Sequence, residues 1–144
     1  MRKKEQSNLT APSPRRYTLP KSQILRGRQN FQRLFTSSKF INTPTISLRF
    51  TTYSSTDEGF KFGFIAPKKI GNAVKRNRSK RLMREAYRLH KHILFEDFED
   101  FQGIIHAVFI ARHADLDYQN VEKDIVILLE ELRSQVLLNN SDEL

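Results

Sequence analysis

Eight consecutive residues, Ile104 to Ala111, carry a single polar side chain, His106. A strand with apolar groups on both sides of its pleat has to be covered on both faces. Two other segments alternate instead. In 44–53, Ile46, Leu48, Phe50 and Thr52 face one way, and Thr45, Ser47, Arg49, Thr51 and Tyr53 the other. In 60–66, Phe60, Phe62, Phe64 and Ala66 share one face. Both read as half-buried strands. A short polar loop, Ser54 to Gly59, separates them, so a hairpin is the simplest pairing. Pro67 ends the second strand because it cannot donate to a ladder.

Helical spacing supplies the covering layers. A short helix is expected at about 29–37, with Asn30 as N-cap and Phe31, Leu34 and Phe35 on one face. A turn at Gly71 and Asn72 leads into a longer helix, 73–92. After an acidic connection at 96–103 and the apolar strand, a last helix covers about 118–138. Val121, Ile125, Leu128, Leu129, Leu132 and Val136 form its apolar stripe, and Glu122, Asp124, Glu130 and Glu131 occupy its other faces. The order is helix, strand, strand, helix, strand, helix. That is an α+β fold with helices packed on a small sheet. Residues 1–18, polar and basic, read as a flexible tail, 19–138 as one domain, and 139–144 as a short C-terminal tail.

Charge is distributed in blocks. The chain of 144 residues has a formal net charge of +9, which points to a polyanionic partner. Residues 1–40 carry +9, residues 41–67 zero, residues 68–91 +9 and residues 92–144 −9. Such lopsided blocks suggest one binding face and one solvent face. The absence of Cys excludes disulfides, a thiol nucleophile and Cys-based zinc sites. No apolar run is long enough to span a bilayer, and the basic start lacks the apolar core of a signal peptide.

The segment 68–85, KKIGNAVKRNRSKRLMRE, is the most informative. On a helical wheel, Val74, Leu82, Met83, Ala86, Tyr87, Leu89, Ile93 and Leu94 fall on one half. Lys80, Arg81, Arg84, Arg88 and Lys91 fall on the other, with Asn77 among them. One half would pack on the sheet and the other form a cationic ridge. Lys80, Arg84 and Arg88 recur every four residues, and like charges at that spacing cost an isolated helix a few tenths of a kcal/mol each. Only Glu85 interrupts them. A solvated face would interleave more acid, so the ridge reads as a phosphate-binding surface. Phe60, Phe62 and Phe64 belong to the core, whereas Phe31 and Phe35, beside Arg28 and Arg33, are candidates to line a groove for single-stranded nucleic acid.

This segment resembles the signature of the protein subunit of bacterial ribonuclease P. The matching residues are Lys68, Lys69, Gly71, Ala73, Val74, Arg76, Asn77, Arg78, Lys80, Arg81, Arg84 and Glu85. The N-terminal residues Leu19, Lys21, Leu25, Phe31 and Leu34-Phe35, and the strand ending Ile110, Ala111, Arg112, are also similar, so the likeness covers about 19–135. The resemblance implies an αβββαβα order with a mixed sheet and a left-handed crossover through the basic helix. It implies an accessory subunit of a ribonucleoprotein that removes the 5′ leader from precursor tRNA in the cytoplasm. The ribonuclease P RNA would do the chemistry with bound Mg²⁺, and no membrane or protein partner is required. It further implies a leader cleft of Phe31, Phe35, Lys69, Lys80 and Arg84. Catalytic-RNA contacts would be Arg76, Asn77, Arg78 and Arg81, with Lys68, Arg88 and Lys91 as a supporting ridge. Two positions depart from the family pattern. Pro67 stands where Ser is frequent, and Arg49 stands where some relatives carry an aromatic ring.

The residues themselves offer little for protein-borne catalysis. Asp97 with Asp100 reads as solvated loop charge, and Asp117 as a cap for the last helix. His90 and His92, two apart on a helix, should not share a face. His106 reads as a satisfied core residue. The alternative classes are a structural RNA-binding protein of the ribosomal kind and, third, a DNA-binding regulator.

Overall fold

The computed structural model describes residues 17–54, 59–95 and 103–142. Its strands are β1 (Lys39–Asn42), β2 (Ile46–Tyr53), β3 (Gly59–Ile65) and β4 (Ile104–Ala111). Helix α1 (Arg28–Thr36) precedes them, α2 (Ala73–His90) and the short α3 (His92–Phe95) connect β3 to β4, and α4 (Tyr118–Asp142) ends the chain. Single 3-10 turns lie at Lys21–Gln23 and Lys68–Ile70. The last helix thus continues beyond 138.

The strands form one mixed sheet in the order β1-β2-β4-β3. The expected hairpin between the two alternating strands does not form. β4 inserts between them, antiparallel to β2 (Ile46 opposite Ala111) and parallel to β3 (Gly59 opposite Ile104). The reason is burial. β4 alone is apolar on both faces, so it takes an interior position, and a parallel partner then requires the crossover that α2 provides. Alternation also missed β1, a four-residue edge strand with little buried surface. Lys39 at its start is a usual edge-protecting residue.

The main core lies on one face of the sheet. Ile46, Leu48 and Phe50 of β2, Phe60 and Phe62 of β3, and Ile105, Ala107 and Phe109 of β4 pack against α2 and α4. From α2 come Met83, Ala86 and Tyr87; α4 contributes the stripe read from the sequence. Tyr87 stacks on Phe62 with ring centroids 4.4 Å apart, and Phe109 stacks on Phe62 at 5.4 Å. The other face carries a smaller cluster, Leu25, Leu34 and Val108, edged by Phe31, Ile65 and Ile110. There α1 lies close to the sheet because Gly63 has no side chain: a Cβ at that position would sit 3.1 Å from the Phe31 ring.

Of the three helix caps read from the sequence, two are present; Asn30 is not a cap, because α1 starts at Arg28 after Gly27 and places Asn30 inside the helix, where its side-chain amide donates to Arg26 O at 2.7 Å. Asn72 accepts a hydrogen bond from Lys75 N at 3.0 Å, and Asp117 accepts one from Asn120 N at 2.9 Å. The long basic helix ends at His90 rather than 92, and Lys91 turns the chain into α3. Asp124 is a correction to the reading of α4: it is buried, not on a solvent face. Its carboxylate accepts from Thr45 N at 3.0 Å and Thr45 Oγ1 at 2.5 Å, tying α4 to the β1–β2 turn. The acidic connection at 96–102 and nearly all of the basic segment 1–18 lie outside the described residues. Tyr17 and Thr18 are described, and their carbonyls accept hydrogen bonds from Arg88 and Lys91.

Asp124→Ala would leave two half-buried Thr45 donors without their carboxylate partner. Urea denaturation should show a loss of about 1–3 kcal/mol. An unchanged midpoint would mean that water replaces the carboxylate.

Candidate nucleic-acid interface

Two cationic surfaces emerge, on opposite sides of the sheet. The first is the outer face of α2 with the preceding turn. Lys68 and Lys69 are exposed on that turn, and Asn77, Arg78, Arg81 and Arg84 are exposed along the helix; Arg76 and Lys80 are half-buried. Arg78 donates to Leu116 O at 2.5 Å, which orients it against the loop before α4. Arg84 lies over the Phe64 ring, 5.6 Å from its centroid. Lys75 pairs with Asp115 at 3.4 Å. Among the described residues, Lys68, Lys69, Lys80 and Arg81 have no acidic partner. Arg76 Nε is buried without a hydrogen-bond partner.

Two expected ridge members are used differently. Arg88 pairs with Glu85 and donates to Tyr17 O at 2.9 Å. This hydrogen-bonded pair holds the Glu85 carboxyl below its usual range, so the only acid on α2 is neutralised within the helix. Lys91 is not on the ridge. It is 4% exposed, and its ammonium donates to Thr18 O and, at 2.7 Å, to Gln23 Oε1. Its backbone is still helical, but the 18–23 segment covers this end of the helix and takes Lys91 out of solvent. Burial pushes its pKa down, and Arg88 adds to the shift.

The second surface is the α1 side of the sheet. Strand register aligns Phe40, Arg49, Val108 and Gly63 in one row across it. Phe31 covers the Gly63–Val108 end. Arg49 lies over the Phe35 ring at 5.3 Å and the Phe40 ring at 6.0 Å. In the next row Thr51, His106 and Lys61 are aligned. Arg33 of α1 lies over the Tyr53 ring at 4.9 Å. The five residues assigned to a leader cleft are therefore divided. Phe31 and Phe35 lie on this face, whereas Lys80 and Arg84 project from a helix packed on the other, and Lys69 sits on the turn beyond β3.

His106 is buried as expected but not satisfied: Nδ1 has no hydrogen-bond partner, and the ring meets Tyr53 edge-on. Burial, then Lys61 and Arg33, hold its pKa below 6.5. His90 and His92 approach to 6.2 Å between ring centroids because the helix breaks between them, and His90 is 2.9 Å from Glu122. The sequence reading missed Phe40, Tyr53 and Lys61. One available signal was the absence of any Asp or Glu between Glu5 and Asp57, which covers α1, β1 and β2.

Comparison with known proteins agrees with this architecture. The sequence profile of the Ribonuclease P family matches residues 19–133. The chain belongs to the ribonuclease P protein family. It is 33% identical over 116 residues to the ribonuclease P protein component of Syntrophus aciditrophicus, covering 80% of this chain and 91% of the relative. Against the component from Dictyoglomus thermophilum the identity is 35%, with the same coverage. The fold is that of the Staphylococcus aureus RNase P protein, with TM-score 0.62 at 22% identity, covering 78% of this chain and 97% of the other. The Thermotoga maritima protein superposes with TM-score 0.59 at 23% identity, covering 75% and 96%. Membership makes this chain a protein component of ribonuclease P, a ribonucleoprotein of tRNA processing.

The depressed His106 pKa has a consequence for stability. The unfolded chain takes up the proton first as pH falls through 6.5, so stability is full above 6.5 and is lost as pH drops toward the folded-state value. NMR titration should find one histidine titrating below 6.5. The denaturation midpoint should fall in the same window, and less so in His106→Leu. A histidine titrating at or above 6.5 at this position would contradict the burial argument.

Proposed function

We propose that this chain is the RNA-binding subunit of the endonuclease that removes the 5′ leader from precursor tRNA. The α2 face carries the reading: among the described residues its cations meet only two acids, Glu85, which Arg88 neutralises, and Asp115, which pairs with Lys75 at the start of the helix. Like charges so placed are relieved by phosphates. Arg76, Asn77, Arg78 and Arg81 dock on the ribonuclease P RNA, with Lys68 and Arg88 at the margins. The single-stranded leader runs between α1 and the sheet, where Phe31 and Phe35 offer ring surface and Arg33 and Arg49 offer charge. Lys69, Lys80 and Arg84 extend the cationic path around the β3 edge. Binding both RNAs at once raises affinity for precursor over mature tRNA, because only the precursor has a leader to hold.

The RNA subunit carries the chemistry, with Mg²⁺ held by RNA and substrate. Among the described residues no group of three or more His, Asp or Glu could hold a metal ion, and a hard divalent cation needs several oxygen ligands. The site of action is the cytoplasm, where precursor tRNA is made.

The test is reconstitution with a bacterial ribonuclease P RNA at low Mg²⁺, following leader removal with and without this protein. Strong stimulation is expected. Arg81→Ala should weaken docking and reduce the log–log salt slope by about 0.7–0.9. Its stability should change by less than about 0.5 kcal/mol, since Arg81 is exposed. No stimulation by folded protein would sink the proposal.

A further inference from the structure

Phe40 is the second most exposed large apolar side chain among the described residues, at 62%. It lies on the edge strand β1, directly opposite Arg49. Arg49 lies over both Phe40 and Phe35, so one guanidinium joins the two rings. Together with Phe31 above Gly63, three rings mark one row across the whole sheet, from β3 to β1. Three inter-strand steps make that row roughly 14 Å long.

We propose that Phe40, joined to the groove by Arg49, forms a further stacking subsite for single-stranded RNA, lying beyond the groove under α1 and holding a more distant nucleotide of the same leader. The proposal rests on the leader reading above. Phe40 presents a free ring face at the sheet edge, and Arg49 beside it can hold the adjoining phosphate while remaining stacked. Charge favours a polyanion: α1, β1 and β2 contain Lys39, Arg28, Arg33 and Arg49 but no acid. The subsite also continues the aromatic row directly. A second copy of this chain is a poorer occupant. Pairing two β1 edges would bring together two surfaces that carry cations and no acid.

The experiment measures binding of the reconstituted holoenzyme to precursor tRNAs whose leaders are lengthened one nucleotide at a time. Affinity should rise in a step when the leader reaches β1. Phe40→Ala should remove that step, a loss of at least about fivefold for long leaders, and leave affinity for short leaders unchanged. Phe40→Tyr should keep the step, because the ring face remains; Phe40→Leu should lose it. Circular dichroism should show all three variants folded, as the side chain is exposed. Equal loss at every leader length would overturn the proposal by assigning Phe40 to the catalytic RNA. No loss at any length would overturn it too, as would a change in sedimentation showing that Phe40 joins two copies. Short-leader precursor that binds no better with wild-type protein than without would instead refute the leader reading, and this subsite with it.

Discussion

Tyr87 stacked on Phe62, which stacks in turn on Phe109, holds α2 to the sheet, and the rest of the molecule is arranged around that contact. A helix so rich in like charge gains little from its own hydrogen bonds. It persists because Met83, Ala86 and Tyr87 are fully buried against β3 and β4. Burying an aromatic side chain contributes about 1.5–3 kcal/mol, more than a few like-charge pairs at a few tenths each cost. The same contact fixes which way the cations point. With the apolar side committed to the sheet, Asn77 and Arg81 face solvent, while Arg78 reaches Leu116 O and Arg84 lies over the Phe64 ring.

Cations also serve the interior of this protein. Lys91 and Arg88, at the C-terminal end of α2, donate to backbone carbonyls at Thr18 and Tyr17. Positive charge is favoured at that end of a helix. Two residues that look alike in sequence thus differ in use: Arg81 is open, and Lys91 is a buried clasp on the segment before α1.

The sequence showed much of the local structure. The apolar run at 104–111, the caps at Asn72 and Asp117, and the stripe of α4 all depend on neighbours within a few residues, and all are present. What alternation could not show was partnership. β3 pairs with a strand some forty residues away rather than with its neighbour, and nothing within either strand encodes that choice. The α2 face was legible because its cations repeat at helical spacing. The row from Phe31 to Phe40 was not, because it crosses four strands and exists only once their register is set. Asp124 failed for a similar reason, since its partner, Thr45, is distant in the chain.

The strand order has a consequence for synthesis. The ribosome makes both flanking strands before the central one. From Ile65 to Ile104 the chain needs roughly 2–8 s at about 5–20 residues per second. During that interval β2 and β3 have edges that would template pairing with another nascent chain. Residues 1–91 carry +18 at that stage, and their mutual repulsion opposes such encounters. The final third, at −9, brings the missing strand and the compensating charge together. A chain truncated before Ile104 would therefore be both unclosed and polycationic, a species prone to bind any RNA near the ribosome rather than to fold.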